Sequence, residues 1–266
     1  MKYSIITINY NNQLGLKQTI NSVVKQTCDD YEYIIIDGGS TDGSVNIIRD
    51  YEDVIDYWVS EKDHGIYHAM NKGVAKAHGE YCLFLNSGDE FYNNTVMQEI
   101  CSLKMDEDII VGKVVMDNNH HIISPPPVSG ELTLYHLYSG AIPHQGSFIK
   151  TDLLRKYPYD ESLKISSDWK FFVQTLILDN CSIRYLDIYV SKYNMDGISS
   201  TNPELMRHEK DIILSKLFPP RILADYRQMK ESECLTQTIT PQLRHHYRID
   251  RFLFKLGLLI LNFVKK

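Results

Sequence analysis

Tyr81-Cys82-Leu83-Phe84-Leu85-Asn86-Ser87-Gly88-Asp89 sets an apolar run against a polar turn that ends in a single carboxylate. The run reads as a buried strand, and the turn delivers Asp89 to the carboxyl edge of a sheet. Ligands of open α/β sheets bind at such edges. These nine residues leave two readings of Asp89 open. It serves a ligand there, or it caps the turn at Glu90–Asn94.

Outward from this strand, the preceding segments repeat one pattern. Tyr3–Ile8 and Tyr33–Ile36 are apolar and β-rich. Leu16, Ile20, Val23 and Val24 fall between them at helical spacing. Gly38-Gly39-Ser40-Thr41-Asp42-Gly43 is a loop, and Ser44 caps a helix through Arg49. Asp53–Val59 reads as a third strand, and His68–His78 as the helix before Tyr81–Leu85. Strands alternating with helices in this way indicate βαβ units and a mainly parallel sheet over about residues 1–112. Lys113–Ser124 resembles a hairpin around Asp117-Asn118-Asn119-His120, and Pro125-Pro126-Pro127 breaks the chain. Helices follow near Leu132–Tyr138, Leu153–Lys156 and Trp169–Leu178, then a strand at Arg184–Tyr193. From Pro203 onward the chain reads as helical.

Composition narrows the function. The 266 residues suffice for one large α/β domain with an appendage, and 43% hydrophobic content fits a full core. A formal charge of −6 argues against nucleic acid as a partner. From Arg244 to Lys266 six basic residues face one acid, Asp250; this net +5 leaves −11 for the rest of the chain. Five cysteines, Cys28, Cys82, Cys101, Cys181 and Cys234, form no C-x-x-C pair, which suits a reducing compartment. The apolar run Ser4–Ile8 is too short for a signal peptide, and no run reaches the roughly 20 apolar residues of a membrane span. A cytoplasmic location is expected.

Several polar segments carry candidate chemistry. Asp37 closes the second strand, where a carboxylate either accepts from a base or ribose or caps the Gly-rich loop. No G-x-G-x-x-G or P-loop frame is present. Ser60–Gly73 is dense in polar groups before a helix, a setting that attracts diphosphates. Asp168, in Ile165-Ser166-Ser167-Asp168-Trp169-Lys170-Phe171-Phe172, opens an apolar-periodic helix and so fits an N-cap. His120-His121 and His245-His246 read as solvated pairs, since neighbouring side chains diverge.

Four motifs, in order, resemble the family 2 glycosyltransferases, inverting enzymes of the GT-A fold, and within them a bacterial capsule and exopolysaccharide branch related to colanic-acid transferases. The motifs are Ser4-Ile5-Ile6-Thr7-Ile8-Asn9-Tyr10-Asn11; Ile36-Asp37-Gly38-Gly39-Ser40-Thr41-Asp42-Gly43-Ser44; Gly65-Ile66-Tyr67 through Met70-Asn71-Lys72-Gly73; and Leu85-Asn86-Ser87-Gly88-Asp89. The resemblance covers about residues 3–200. It implies a Rossmann-like mixed, mainly parallel sheet flanked by helices over 1–200, with a nucleotide-binding half at 1–112 and an acceptor half at 113–200. Residues 201–266, which the resemblance does not cover, read as a helical C-terminal extension with an amphipathic tail. It implies that Thr7, Asn9, Tyr10, Asp37, Ser40, Asp63, Asn71 and Lys72 hold the nucleotide, and that Asp89 matches the last Asp of the family's metal motif and binds Mn2+ or Mg2+. Gly88, His144 and Gln145 would line the sugar or acceptor, and Asp168 would act as catalytic base. Asp196-Gly197-Ile198-Ser199-Ser200 would close over the diphosphate. His68 departs from the branch, which commonly has Asp there. On this view Asp89→Ala abolishes metal-enhanced donor binding and Asn86→Asp is tolerated.

The implied reaction moves a sugar from a nucleoside-diphosphate sugar to a saccharide, expected to be lipid-linked. Between Arg251 and Lys266 the polar residues 251, 255, 262 and 266 share one helical face, and the rest is apolar. That pattern fits a helix lying on anionic lipid at the inner face of the membrane, or one packed on protein. Two rivals predict different behaviour. A sugar nucleotidyltransferase needs a basic Gly-rich loop after strand one, which Asn11-Asn12-Gln13-Leu14-Gly15 does not supply. A non-catalytic sugar-nucleotide-binding protein predicts that Asp168→Asn changes no turnover.

Overall fold

The structure, a computed structural model, describes residues 2–116, 121–123, 132–194 and 201–232. Four parallel strands form one half of a mixed sheet: β1 (Tyr3–Asn9), β2 (Tyr31–Asp37), β3 (Tyr57–Ser60) and β4 (Tyr81–Phe84), in the order β3-β2-β1-β4. The other half is largely antiparallel. The strand β8 (Ser147–Lys150) joins β4 to β6 (Ile109–Met116), which runs parallel to β9 (Ile183–Tyr193). The two-residue β5 (Glu90–Phe91) closes the far edge, and β7 (His121–Ile123) pairs with β6. The result is the expected mainly parallel sheet flanked by helices.

Alternation decides which helix covers which face. Tyr3 and Ile5 of β1 and Tyr33 and Ile35 of β2 lie in one apolar cluster with Leu16, Ile20 and Val23 of α1 (Gln13–Val24). The next residues in register point the other way. There α3 (Ile66–Lys76) comes so close that a Cβ on Gly73 would stand 2.5 Å from Ile6 Cγ2. Both faces of β1 are therefore dry, as a run of seven buried residues requires.

Local chemistry shifts several expected boundaries. The third strand starts at Tyr57 rather than Asp53. Glu52–Val54 form a 3-10 turn, and the Asp56 carboxylate takes the Tyr33 N–H at 2.7 Å, where a ladder bond would otherwise begin. Ser44 is the first residue of α2 (Ser44–Asp50), not its cap. Gly43, at φ 98°, makes the turn, and Asp42 accepts from both the N–H and hydroxyl of Ser44. The helix expected at Trp169–Leu178 begins as α7 (Ser167–Phe172) and widens into a π-helical stretch over Val173–Leu178. The hairpin strands pair Val114 with Ile123 and Met116 with His121. Its turn, the triple proline, Asp196–Ser200 and the tail with His245-His246 lie outside the described residues.

Two compact units divide at residue 213/214. In the first, Glu209 accepts from the Lys164 and Ile165 N–H groups at 2.7 and 3.1 Å, which fixes that loop. In the second, residues 214–232 are mostly helical. No described helix is long and apolar enough to cross a membrane.

Candidate active site

Register brings the first group together. Asn9 stands opposite Asp37, and Asp37 opposite Ser60, all at the carboxyl edge. Asp37 Oδ1 accepts from Asn9 Nδ2 at 2.7 Å and from Ser40 Oγ at 2.6 Å; its Oδ2 accepts from the Ser40 N–H at 2.9 Å and Ser60 Oγ at 2.6 Å. Burial pulls the Asp37 pKa up, but the four donors prevail and hold it below the ordinary carboxylate value. Protein donors engage both of its oxygens, so Asp37 organises the edge. Asn11, in the left-handed region at φ 49°, turns the chain so that its N–H reaches Ser40 Oγ and its side chain accepts from Thr41.

Two acceptors at this edge are unsatisfied: Asn9 Oδ1 and Asp63 Oδ2 are buried with no hydrogen-bond partner. Asp63 is held through its other oxygen, which takes His68 Nδ1 at 2.9 Å and Lys72 Nζ at 2.8 Å. Lys72 also pairs with Glu61 at 2.8 Å. Desolvation works against its charge, yet Asp63 and Glu61 together raise its pKa. A Cβ on Gly38 would meet the Tyr10 ring at 3.1 Å and Asp63 Oδ2 at 3.4 Å. The exposed Tyr10 ring, the buried Gly38 backbone and Asp63 Oδ2 thus lie together at this edge.

A cavity of about 160 Å³ is lined by Asn86, Asp89, His144, Gln145, Asp168 and Asn194 among others. Gly88, at φ 104°, folds the turn after β4 so that Asp89 points inward and takes the Asn194 N–H at 3.0 Å. Burial drives the Asp89 pKa up to about 6, only partly offset by Asn194, His144 and Gln145. From α7, Asp168 accepts the Tyr67 hydroxyl at 2.9 Å and faces His144 Nδ1 at 3.1 Å. Burial raises the Asp168 pKa, but His144 and Tyr67 outweigh it and the net direction is downward. Burial disfavours the His144 cation, while the bond and charge of Asp168 and the charge of Asp89 favour it, and its pKa ends up raised. His144 Nε2 lies 3.3 Å from the Asn86 amide.

Of the residues expected at the site, Asn9, Tyr10, Ser40, Asp63 and Lys72 cluster with Asp37 at one edge, while Asp89, His144, Gln145 and Asp168 line the cavity and Gly88 shapes the turn behind Asp89. Two are employed elsewhere. Thr7 is fully buried and its hydroxyl bonds Tyr33 at 3.0 Å. The Asn71 amide clamps the Tyr159 main chain, giving to its carbonyl and accepting from its N–H, each at 2.9 Å. Tyr67 and Asn194 join the site unannounced. Tyr67 belongs to the third motif, but nothing in its neighbours points to Asp168. Among the described residues no three His, Cys, Asp or Glu side chains gather into a cation cage.

The sheet has the topology of the GT-A fold, with a carboxylate turn and a second carboxylate lining one cavity. The chain belongs to glycosyl transferase family 2, whose sequence pattern matches residues 4–136. It is 31% identical over 205 residues to the uncharacterized glycosyltransferase Rv1514c of Mycobacterium tuberculosis, covering 74% of this chain and 76% of that one. Among solved structures it is similar to S. aureus TarS 1-349 in complex with UDP-GlcNAc (TM-score 0.67, 21% identity, 81% of this chain and 66% of that one). It is also similar to the mannosyltransferase PcManGT of Pyrobaculum calidifontis with GDP-Man and Mn2+ (TM-score 0.56, 16% identity, 72% and 56%). These two likenesses bear on fold alone. The chain spans just under two thirds of the TarS structure.

Proposed function

We propose that this protein is an inverting glycosyltransferase that moves a sugar from a nucleoside-diphosphate sugar to a saccharide. The observation that carries the reading is one cavity lined by Asp89 and the Asp168–His144 pair, in a protein that also holds two unsatisfied acceptors, Asn9 Oδ1 and Asp63 Oδ2, at the carboxyl edge of its sheet. Base and ribose lie against Tyr10, Gly38 and Asp63. The donor sugar enters the cavity past Gly88 and Gln145. Asp168 takes the proton of the acceptor hydroxyl as that oxygen attacks the anomeric carbon in line. Each Asp168 oxygen keeps a lone pair beyond those given to Tyr67 and His144.

Asp89 fits a divalent cation. It is a buried carboxylate without a full counter-charge, and magnesium or manganese would take its remaining oxygens from the diphosphate and water. When bound, the cation neutralises charge on the leaving diphosphate. With one protein carboxylate, cation and donor bind together.

The basic, apolar tail supports a lipid-linked acceptor in surface polysaccharide assembly and a peripheral seat on the cytoplasmic face of the membrane. Anionic vesicles measure that seat: deleting the last 16 residues releases the protein, and unchanged binding removes the idea. Asp168→Asn tests the reaction itself. Donor binding measured by calorimetry is kept while transfer falls by roughly 100-fold or more. Unchanged turnover would leave a protein that only binds sugar nucleotides.

A further inference from the structure

His144 sits between two partners of different character. Toward Asp168, an ionised carboxylate can only accept, so Nδ1 carries a proton. Toward the Asn86 amide, Nε2 has a choice. As a lone pair it accepts from the amide NH2. As an N–H it needs an acceptor, and a half-turn of the same amide presents Oδ1, an atom otherwise buried without a partner. A carboxylate at position 86 lacks this versatility, because it satisfies only the imidazolium.

We propose that Asn86 is a positioning residue for Asp168 that acts through His144: its amide accommodates both charge states of the imidazole, so that Asp168 is released from a permanent ion pair and can serve as base. The proposal rests on the assignment of Asp168 above. It also reverses the expectation that Asn86→Asp is tolerated. With the imidazole locked as a cation, the neighbouring carboxylate becomes a weaker base. The polar turn after β4 therefore carries Asn because it faces His144, 58 residues away.

Other groups around the pair set the background. Asp89, on the same turn as Asn86, adds negative charge toward His144. Tyr67 from α3 and the buried Tyr159 face Asp168, and burial together with that charge keeps both phenols protonated. Lys164 and Tyr193 line the same cavity.

The test uses full-length protein with 15N-labelled histidine. Long-range 1H–15N spectra between pH 5 and 9 follow the imidazole, with the His144 signal assigned by its loss in His144→Gln. Asn86→Asp should raise its titration midpoint by about one pH unit or more, roughly tenfold in proton affinity. Asn86→Leu, which neither donates nor accepts, should lower it. In transfer assays Asn86→Asp should cut kcat at pH 7 and move the acid limb of the pH profile upward by the same interval, with donor KM within about twofold of the parent. Asn86→Ser, whose hydroxyl donates or accepts, should restore most of the turnover. If Asn86→Asp does not fold, the downward shift in Asn86→Leu carries the test. An unmoved midpoint in the folded variants overturns the proposal. Absence of transfer with every sugar nucleotide instead defeats the glycosyltransferase reading, which the titration does not depend on.

Discussion

The Tyr67 hydroxyl donates to Asp168 Oδ1 at 2.9 Å across 101 residues of sequence. It ties α3, which also carries the Lys72 that pairs with Asp63, to the helix that carries Asp168, the base proposed above. Tyr67→Phe removes the donor and leaves a partly buried carboxylate oxygen short of one bond, a cost of about 1 kcal/mol. The sign with pH follows from the depressed pKa of Asp168. Stability from the ionised group is present above its unfolded value of 3.8 and is lost as pH falls through the lower folded one. Urea melts should therefore show the parent ahead of Tyr67→Phe at pH 7, with the gap closing below pH 3.8.

Asp89 has the opposite sign. Its folded pKa of about 6 lies above the ordinary 3.8, so the folded state binds more protons between these values, and stability falls as pH rises through them. The interval of about two pH units corresponds to roughly 3 kcal/mol, fully expressed above pH 6. Asp89→Asn should raise the melting temperature at pH 8 and leave it unchanged below pH 3.8. Manganese with a sugar nucleotide should reverse the order, stabilising the parent and not the variant. A variant no more stable than the parent at pH 8 would show that Asp89 is better solvated than its burial implies.

Asp63 offers a buried, unpartnered acceptor beside Tyr10 and Gly38. A nucleobase or ribose donor bonding to an ionised acceptor contributes about 1.5–3 kcal/mol. Asp63→Ala should weaken nucleoside-diphosphate binding by roughly 10- to 100-fold. Calorimetry with the nucleotide alone measures this. Equal affinity in the variant would move the nucleoside elsewhere.

What the sequence made legible was local. Apolar runs that stop at polar turns marked β1, β2 and β4, the turn after β4 carried Asp89, and the apolar period after Ser167 placed Asp168 at the start of a helix. What it hid depended on register and long-range pairing. Asp37 reads as a ligand residue, but only the alignment of β1, β2 and β3 shows Asn9 and Ser60 donating to it. Asn71 stands among motif residues, yet its amide is spent on a main chain 88 positions away. Asn86 looks like a lost carboxylate until His144 is placed against it. The four-residue β8 carries too little pattern to reveal that it joins the sheet's two halves.

The opposite edge of the sheet carries a buried carboxylate with no part in the proposed chemistry. Glu32 accepts from Ser4 Oγ and from the N–H groups of His78 and Gly79, and its second oxygen meets His78 Nδ1 at 3.0 Å. These bonds lock β1, β2 and the start of β4 together where Gly79 passes so close to Tyr3 that a Cβ there would lie 2.5 Å from its carbonyl carbon. Burial opposes the charge, but the donors hold the Glu32 pKa below its ordinary value of 4.5. Glu32→Ala should therefore cost about 2–4 kcal/mol, since it strands several buried donors at once. The loss should be complete at neutral pH and shrink as pH falls below 4.5, in step with protonation of the parent's carboxylate. Because the cluster lies at the amino ends of the strands, transfer by the folded fraction should keep the parent's KM for the donor. A changed KM at a temperature where the variant is fully folded would show that strain at this edge reaches the site.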